Sequence, residues 1–247
     1  MCVTALSLTV GYVPGATPAK WARNWAQRHP AVTLTLVGIA AAEAADAVRT
    51  GAVDVALLRL PADTSGLAVI PLYEEVTVVV VPTDHLLSAA DEIASADLDG
   101  EPRLIPLDNV VEWLQAPGTG ATGTAIDHRP ETTEAAIELV AAGLGVLIVP
   151  QSLARLHHRK DLTYRPIADA PACAVTLAVP EGPQSELVAE FIGIVRGRKP
   201  GSSRGQTEQA PKRTAREKAL AKQAARAAAG NGARTPGPPK RGRRKSR

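Results

Sequence analysis

The sequence predicts an α/β fold, and three observations carry that prediction. Short runs of alternating apolar residues, as at Leu6, Leu8 and Val10, give way to segments with helical spacing. The order over residues 6–60 is βαβαβ, in which parallel neighbours need helical crossovers. Val53–Leu60 is a nearly continuous apolar run, as a strand covered on both faces requires.

Leu6–Val10 is the first strand, closed by the turn residues Gly11, Pro14 and Gly15. Thr17 can cap the next helix, with Pro18 at its first position, where a missing N–H does no harm. Trp21 and Trp25 are four apart and share one face of that helix. Val32, Leu34 and Leu36 alternate as a second strand. Ala41–Thr50 is a helix of good formers ending at Gly51, a residue suited to a left-handed cap. After Val53–Leu60 come strands at Leu67–Leu72 and Glu75–Val81, a short helix near Ser95–Leu98 and a strand at Arg103–Leu107. The small residues of Gly118–Gly123 make a loop. Thr132–Ala142 is an amphipathic helix, and Val146–Val149, Leu162–Tyr164 and Val175–Val179 are strands. Ser185–Val195 is the last helix.

The net charge of +3 is the near-cancellation of two unlike parts. Residues 1–196 hold 12 Lys and Arg against 23 Asp and Glu, a charge of −11. Residues 197–247 hold 16 basic residues against Glu208 and Glu217, a charge of +14. Such asymmetry predicts an acidic globular body with a basic arm that seeks polyanions. The arm has no aromatic residue, no Val, no Ile and only Leu220, too little apolar surface to offset ordering. It is expected to be disordered when free. Thr214 and Glu217 form a capping box before an Ala-rich stretch that places Lys218, Lys222 and Arg226 in one stripe. The terminal run with Lys240, Arg241, Arg243, Arg244 and Lys245 follows Pro236, Pro238 and Pro239 and is expected to be extended.

Several classes are excluded. No apolar run approaches the ~20 residues that span a bilayer in a helix, so no membrane partner is expected. Residues 1–12 lack the cationic start of a secretory signal. Cys2 and Cys173 are too few for a disulfide framework and have no metal-ligand spacing to a His, which predicts a cytoplasmic protein without a metal or other cofactor. No GxSxG, phosphate loop or HExxH is present, and the adjacent Glu74 and Glu75 would face opposite ways on a strand, so no enzyme is expected. Cys173, beside an apolar strand, reads as a small core residue.

Five segments in order carry a family resemblance: LTVGYVPG at Leu8–Gly15, GAVDVALLRLP at Gly51–Pro61, LYEE and VVVVPTDH within Pro71–His85, GLGVLIVP closing Thr132–Pro150, and YRPI at Tyr164–Ile167. The body resembles the effector-binding (substrate-binding) domain of LysR-type transcriptional regulators, the type 2 periplasmic-binding-protein fold, over roughly residues 5–196. The resemblance implies two Rossmann-like lobes with a small-molecule cleft between them. The first lobe would hold about residues 1–80 and 157–196 and the second about 81–156, with crossovers near Val81–Thr83 and Pro150–Leu156. It also implies pairing into a homodimer. Departures are Leu86, where the family usually has Pro, the basic arm, and the absence of a winged helix-turn-helix before the first strand.

Ligands in open α/β sheets bind beyond the carboxyl ends of strands, often where free N–H groups favour anions. Pro14, Gly15, Ala16 and Thr17 form such a loop. There the Thr17 hydroxyl can hold a carboxylate or simply cap the helix. Arg59 ends an apolar strand, where a charge must be paired or face a cleft; it can bind an anionic ligand or an internal carboxylate. By analogy the second lobe contributes His128, Thr132 and Thr133, with Arg129 read as an exposed loop residue. Pro106 and Asp108 form a third wall or an ordinary turn. The predicted function is an effector-binding protein in transcription regulation whose arm binds DNA phosphates without sequence preference. The alternatives are a ligand-binding or partner protein that does not bind DNA, and an arm that only solubilises.

Overall fold

The computed structural model describes residues 6–111, 113 and 128–198. The described residues all fall within one compact unit. The expected loop Gly118–Gly123 and all the named cations of the basic arm lie outside the described residues. The described part is α/β. Its strands are β1 (Ser7–Tyr12), β2 (Thr33–Gly38), β3 (Val55–Arg59), β4 (Leu67–Glu75), β5 (Thr77–Pro82), β6 (Arg103–Leu104), β7 (Val146–Pro150), β8 (Leu162–Pro166) and β9 (Cys173–Pro180). They form two sheets, ordered β2-β1-β3-β9-β4 and β6-β7-β5-β8.

In the first sheet β1 runs parallel to β2 and β3, while β9 lies antiparallel between β3 and β4. The apolar run that predicts a doubly covered strand is β3, every residue of which is buried. Helices α1 (Ala19–Arg28), α2 (Ala44–Arg49) and α5 (Glu186–Val195) cover this sheet. The helical spacing of Trp21 and Trp25 directs both into its core, Trp25 fully and Trp21 partly. Trp25 meets Phe191 of α5 edge-on at 6.0 Å and donates its indole N–H to the Val32 carbonyl at 3.1 Å. That bond satisfies the one polar atom of a buried indole. Ser185 caps α5 by accepting from the Val188 amide, and Gly51 past α2 has φ +73°.

The second sheet is mixed. β6 is parallel to β7, and β5 is antiparallel to both β7 and β8. Helix α3 (Thr133–Ala141) buries Ala136, Ile137 and Val140 against β5 and β7, and α4 (Gln151–Leu156) adds Leu153 and Ala154 to the same core. Thr132 caps α3, its hydroxyl accepting from the Ala135 amide at 3.1 Å. Such a cap is worth about 1 kcal/mol.

Four sequence expectations need correction. The lobes divide at Val76 and at residues 167–172, so β5 and β8 belong to the second sheet and not to the first. Thr77–Pro82 and Tyr164–Pro166 therefore lie beyond the crossovers, and Pro150–Leu156 is no crossover, because all but its first residue, which ends β7, form α4. The physical reason is that sheet membership is decided by pairing: β5 bonds to both β7 and β8 along most of its length. The strand expected at Arg103–Leu107 spans only Arg103–Leu104, because Leu107 turns to donate to the Pro130 carbonyl. Thr17 does not cap α1. Pro18 occupies the cap position in helical conformation, and no side chain caps it. Among the described residues no helix is long and apolar enough to cross a membrane.

Candidate functional site

The carboxyl edges of the two sheets converge. β1 leads into the Pro14–Thr17 loop and β3 ends at Arg59, both at the carboxyl edge of the parallel part of the first sheet. β6 leads into Pro106–Asp108 and β7 leads into α4, both at the carboxyl edge of the second. This is where ligands of α/β sheets sit.

Arg59 is the centre of the first wall, with only 5 % of its surface exposed. Its Nε donates to Glu75 Oε2 at 2.9 Å, an ion pair in which both side chains are buried. Glu75 closes β4 and pairs with Cys173, while Arg59 pairs with Val175. Both therefore share one face of the sheet across β9, since residues two apart point the same way. Arg59 Nη2 donates to the Pro14 carbonyl at 3.1 Å and to Ser152 Oγ at 3.1 Å. Nη1 is buried without a hydrogen-bond partner. A buried guanidinium with one carboxylate needs its other donors satisfied, so the Pro14 loop and Ser152 are held where they are by charge-assisted bonds.

The neighbours feel this charge pair. Burial, and then the Glu75 carboxylate, push the Tyr73 phenol above its ordinary value, with Arg59 opposing. Burial pushes the Cys173 thiol up. Thr77 donates its hydroxyl to the Pro171 carbonyl at 2.7 Å and lies 3.6 Å from Cys173 Sγ, tying the two crossovers together. Cys173 is a buried thiol in a strand, with the character of a core residue.

Gly15 has φ +82°, a conformation that favours glycine. A Cβ there would lie 2.6 Å from Ser152 Oγ and 3.3 Å from Arg59 Nη2. The first-lobe loop thus touches the second lobe, and a side chain at this position would occupy the contact. Ala16 is buried and donates its amide to the Val13 carbonyl, whereas Thr17 is exposed beside it.

The second wall is a separate set. Thr133 is buried and donates its hydroxyl to Asp108 Oδ1 at 2.9 Å. Arg129 donates to the carbonyls of Ile105 and Pro106 at 3.2 and 3.3 Å, so this exposed residue fastens the turn after β6. His128 is exposed. Of the sequence-predicted residues, Pro14, Gly15 and Arg59 come together on one wall, and Pro106, Asp108 and Thr133 on the other. Thr132 sits beside them with its hydroxyl used as a cap, and among the described residues His128 makes no hydrogen bond to either wall. Sequence reasoning missed Ser152 and the identity of Arg59's partner. The rule that sites lie past the carboxyl ends of strands points to Ser152 just after β7. Among the described residues no group of three or more His, Cys, Asp or Glu is placed to hold a metal ion.

Known proteins give this geometry a context. The family model described as LysR substrate binding domain matches residues 5–200. The Hca operon transcriptional activator HcaR of Escherichia coli strain K12 is 30% identical over 201 residues, covering 77% of this chain and 67% of that protein. The probable hydrogen peroxide-inducible genes activator of Mycobacterium avium is 30% identical over 153 residues, covering 60% of this chain and 48% of that one. The chain thus spans between about half and two thirds of these relatives' length. The effector binding domain of BenM, solved with its effector benzoate, superposes with a TM-score of 0.66 at 21% identity, covering 77% of this chain and 90% of that one. That last likeness is one of fold.

Proposed function

This chain belongs to the LysR substrate binding domain family, and on that premise we propose that its body is a small-molecule sensor acting in cytoplasmic transcription regulation. Relatives in the family are transcriptional regulators. The observation that supports the reading is the contact between the two lobes at Arg59, a buried cation ending β3 that bonds Ser152 just after β7, with a Thr133–Asp108 pair past the end of β6. A small carboxylate is the effector class such a wall suits, because a desolvated guanidinium pairs carboxylate strongly. The ligand contacts assigned are Pro14–Thr17 and Arg59 from the first lobe, with Pro106, Asp108, His128, Thr132 and Thr133 from the second. No step of covalent chemistry is assigned, and the body pairs into a homodimer as the resemblance implies.

A thermal-shift screen of small carboxylates and aromatic acids tests the sensor. A ligand that binds only the folded state raises Tm, by about 2.7 kcal/mol of stability at a hundredfold excess over Kd. Thr17→Ala and Arg59→Ala are expected to weaken any hit, and unchanged affinity in both removes the site assignment. A screen without a single stabilising compound counts against the sensor itself.

The basic arm is assigned phosphate binding. With 16 cations and no aromatic residue it suits backbone contact and not base stacking. The full chain is expected to bind unrelated duplexes alike and to weaken steeply with salt, while residues 1–196 alone are not. Filter binding or fluorescence anisotropy reads this directly, and equal affinity of the truncated chain would sink the assignment.

A further inference from the structure

Two of the contacts assigned to the effector carry a formal charge, Arg59 and Asp108. They are not equivalent. Arg59 is matched by the buried Glu75 carboxylate at 2.9 Å, so that pair is neutral before any effector arrives. Asp108, past the end of β6, has a neutral partner: its Oδ1 accepts from the Thr133 hydroxyl at 2.9 Å. Among the described residues no cation lies within ion-pair distance of this carboxylate. The neighbouring sequence supplies none either, since residues 104–128 contain no Lys or Arg. Arg129 comes next, but its Nε and Nη2 are spent on the carbonyls of Ile105 and Pro106. Asp108 is exposed, and its Oδ2 accepts nothing from the described residues. The start of α3 reinforces the sign. Glu131 and Glu134 are exposed there, and Asp108 is bonded to the first residue of the helix, at the positive end that would otherwise attract an anion.

We propose that Asp108 reads an ammonium group, so that the effector is an amino acid and not a bare carboxylate. A carboxylate that an effector covers loses its water, and binding is penalised unless a donor is given in return. A second anion laid against Asp108 meets like charge, whereas an ammonium group makes a charge-assisted hydrogen bond. Thr133 is the positioning residue. It is only 3% exposed, and its hydroxyl holds one carboxylate oxygen while leaving the other for the effector. The body's 12 basic against 23 acidic residues disfavour a bare anion in the same sense. This deepens the sensor reading by naming the substrate class of the same site, and it rests on that reading.

The test titrates the full chain with glycine, β-alanine and 4-aminobutyrate, and with acetate, propionate and butyrate as their amine-free matches, at constant ionic strength. The rise of Tm with concentration gives an apparent Kd for each. The expected result is that at least one amino acid stabilises the parent more than its match does. Asp108→Asn keeps an acceptor for Thr133 and removes only the charge, so it separates recognition from folding. It is expected to weaken that amino acid by about tenfold or more and to leave the matching carboxylate unchanged or tighter. Thr133→Val, which removes the hydroxyl at nearly constant volume, is expected to weaken the amino acid in the same direction. Amino acids that stabilise the parent no better than their matches overturn the ammonium reader, and so does a preference that survives intact in Asp108→Asn. A bare carboxylate from the wider screen that binds parent and Asp108→Asn alike leaves the sensor standing and removes Asp108 from it. A wider screen without a hit counts against the sensor and takes this reading with it, so the two failures are told apart.

Discussion

Replacing Glu75 by leucine is expected to destabilise the fold by about 3–5 kcal/mol, the loss found when one member of a buried ion pair is removed. The magnitude follows from burial: the Arg59 and Glu75 side chains are 1% and 7% exposed and 2.9 Å apart. Without Glu75 the Arg59 cation would retain only the neutral acceptors Pro14 O and Ser152 Oγ. These cannot repay the desolvation of a full charge. Equilibrium denaturation in urea reads the change. The double variant Arg59→Met with Glu75→Leu is expected to recover most of the loss, since a buried pair replaced by apolar residues of similar volume is often neutral or stabilising. A Glu75→Leu loss below about 1 kcal/mol, the range of an exposed pair, would mean that the pair is solvated in solution.

The second large effect lies in the core of the first lobe. Phe191→Ala is expected to cost about 3–5 kcal/mol, because deleting a buried aromatic side chain loses transfer energy and leaves a cavity. Phe191 is fully buried in α5, and its ring meets Trp25 of α1 at 6.0 Å. This aromatic pair joins an early helix to the last helix of the body. Calorimetric Tm and the denaturation midpoint should fall together, and Trp25 emission should move to longer wavelength as water enters. A midpoint within experimental error of the parent would show that the site collapses without loss.

Much of this architecture is legible in the sequence because local rules set it. The alternation at Leu8 and Val10, the four-residue step from Trp21 to Trp25, and the continuous run at Val55–Arg59 each become the element their period predicts. Thr132 caps α3 as a β-region threonine before a helix should. What the sequence hides is set by pairing between distant residues. Thr77–Pro82 reads as a buried strand equally well in either sheet, and only its bonds to β7 and β8 assign it. Arg59 announces that it needs an anion, yet nothing local distinguishes Glu75, 16 residues on, from the body's other carboxylates. Ser152, 93 residues away, carries no signal beyond its place after a strand. Thr17 is the opposite case. A favourable capping residue stands before Pro18, but the proline itself takes the cap position and leaves the hydroxyl exposed.

The position of β9 between β3 and β4 has a consequence for how the chain is made. The second sheet is built from the contiguous stretch between Thr77 and Pro166, so all its strands are synthesised before β9. The first sheet, begun at Ser7, waits with β3 and β4 apart until Cys173–Pro180 arrives to fill the space between them. Synthesis at roughly 5–20 residues per second separates these events by several seconds. Through that interval the flanks of β3 and β4 are open edges, the kind of surface that recruits chaperones or a wrong partner. The lobe that begins the chain is thus the last to be finished.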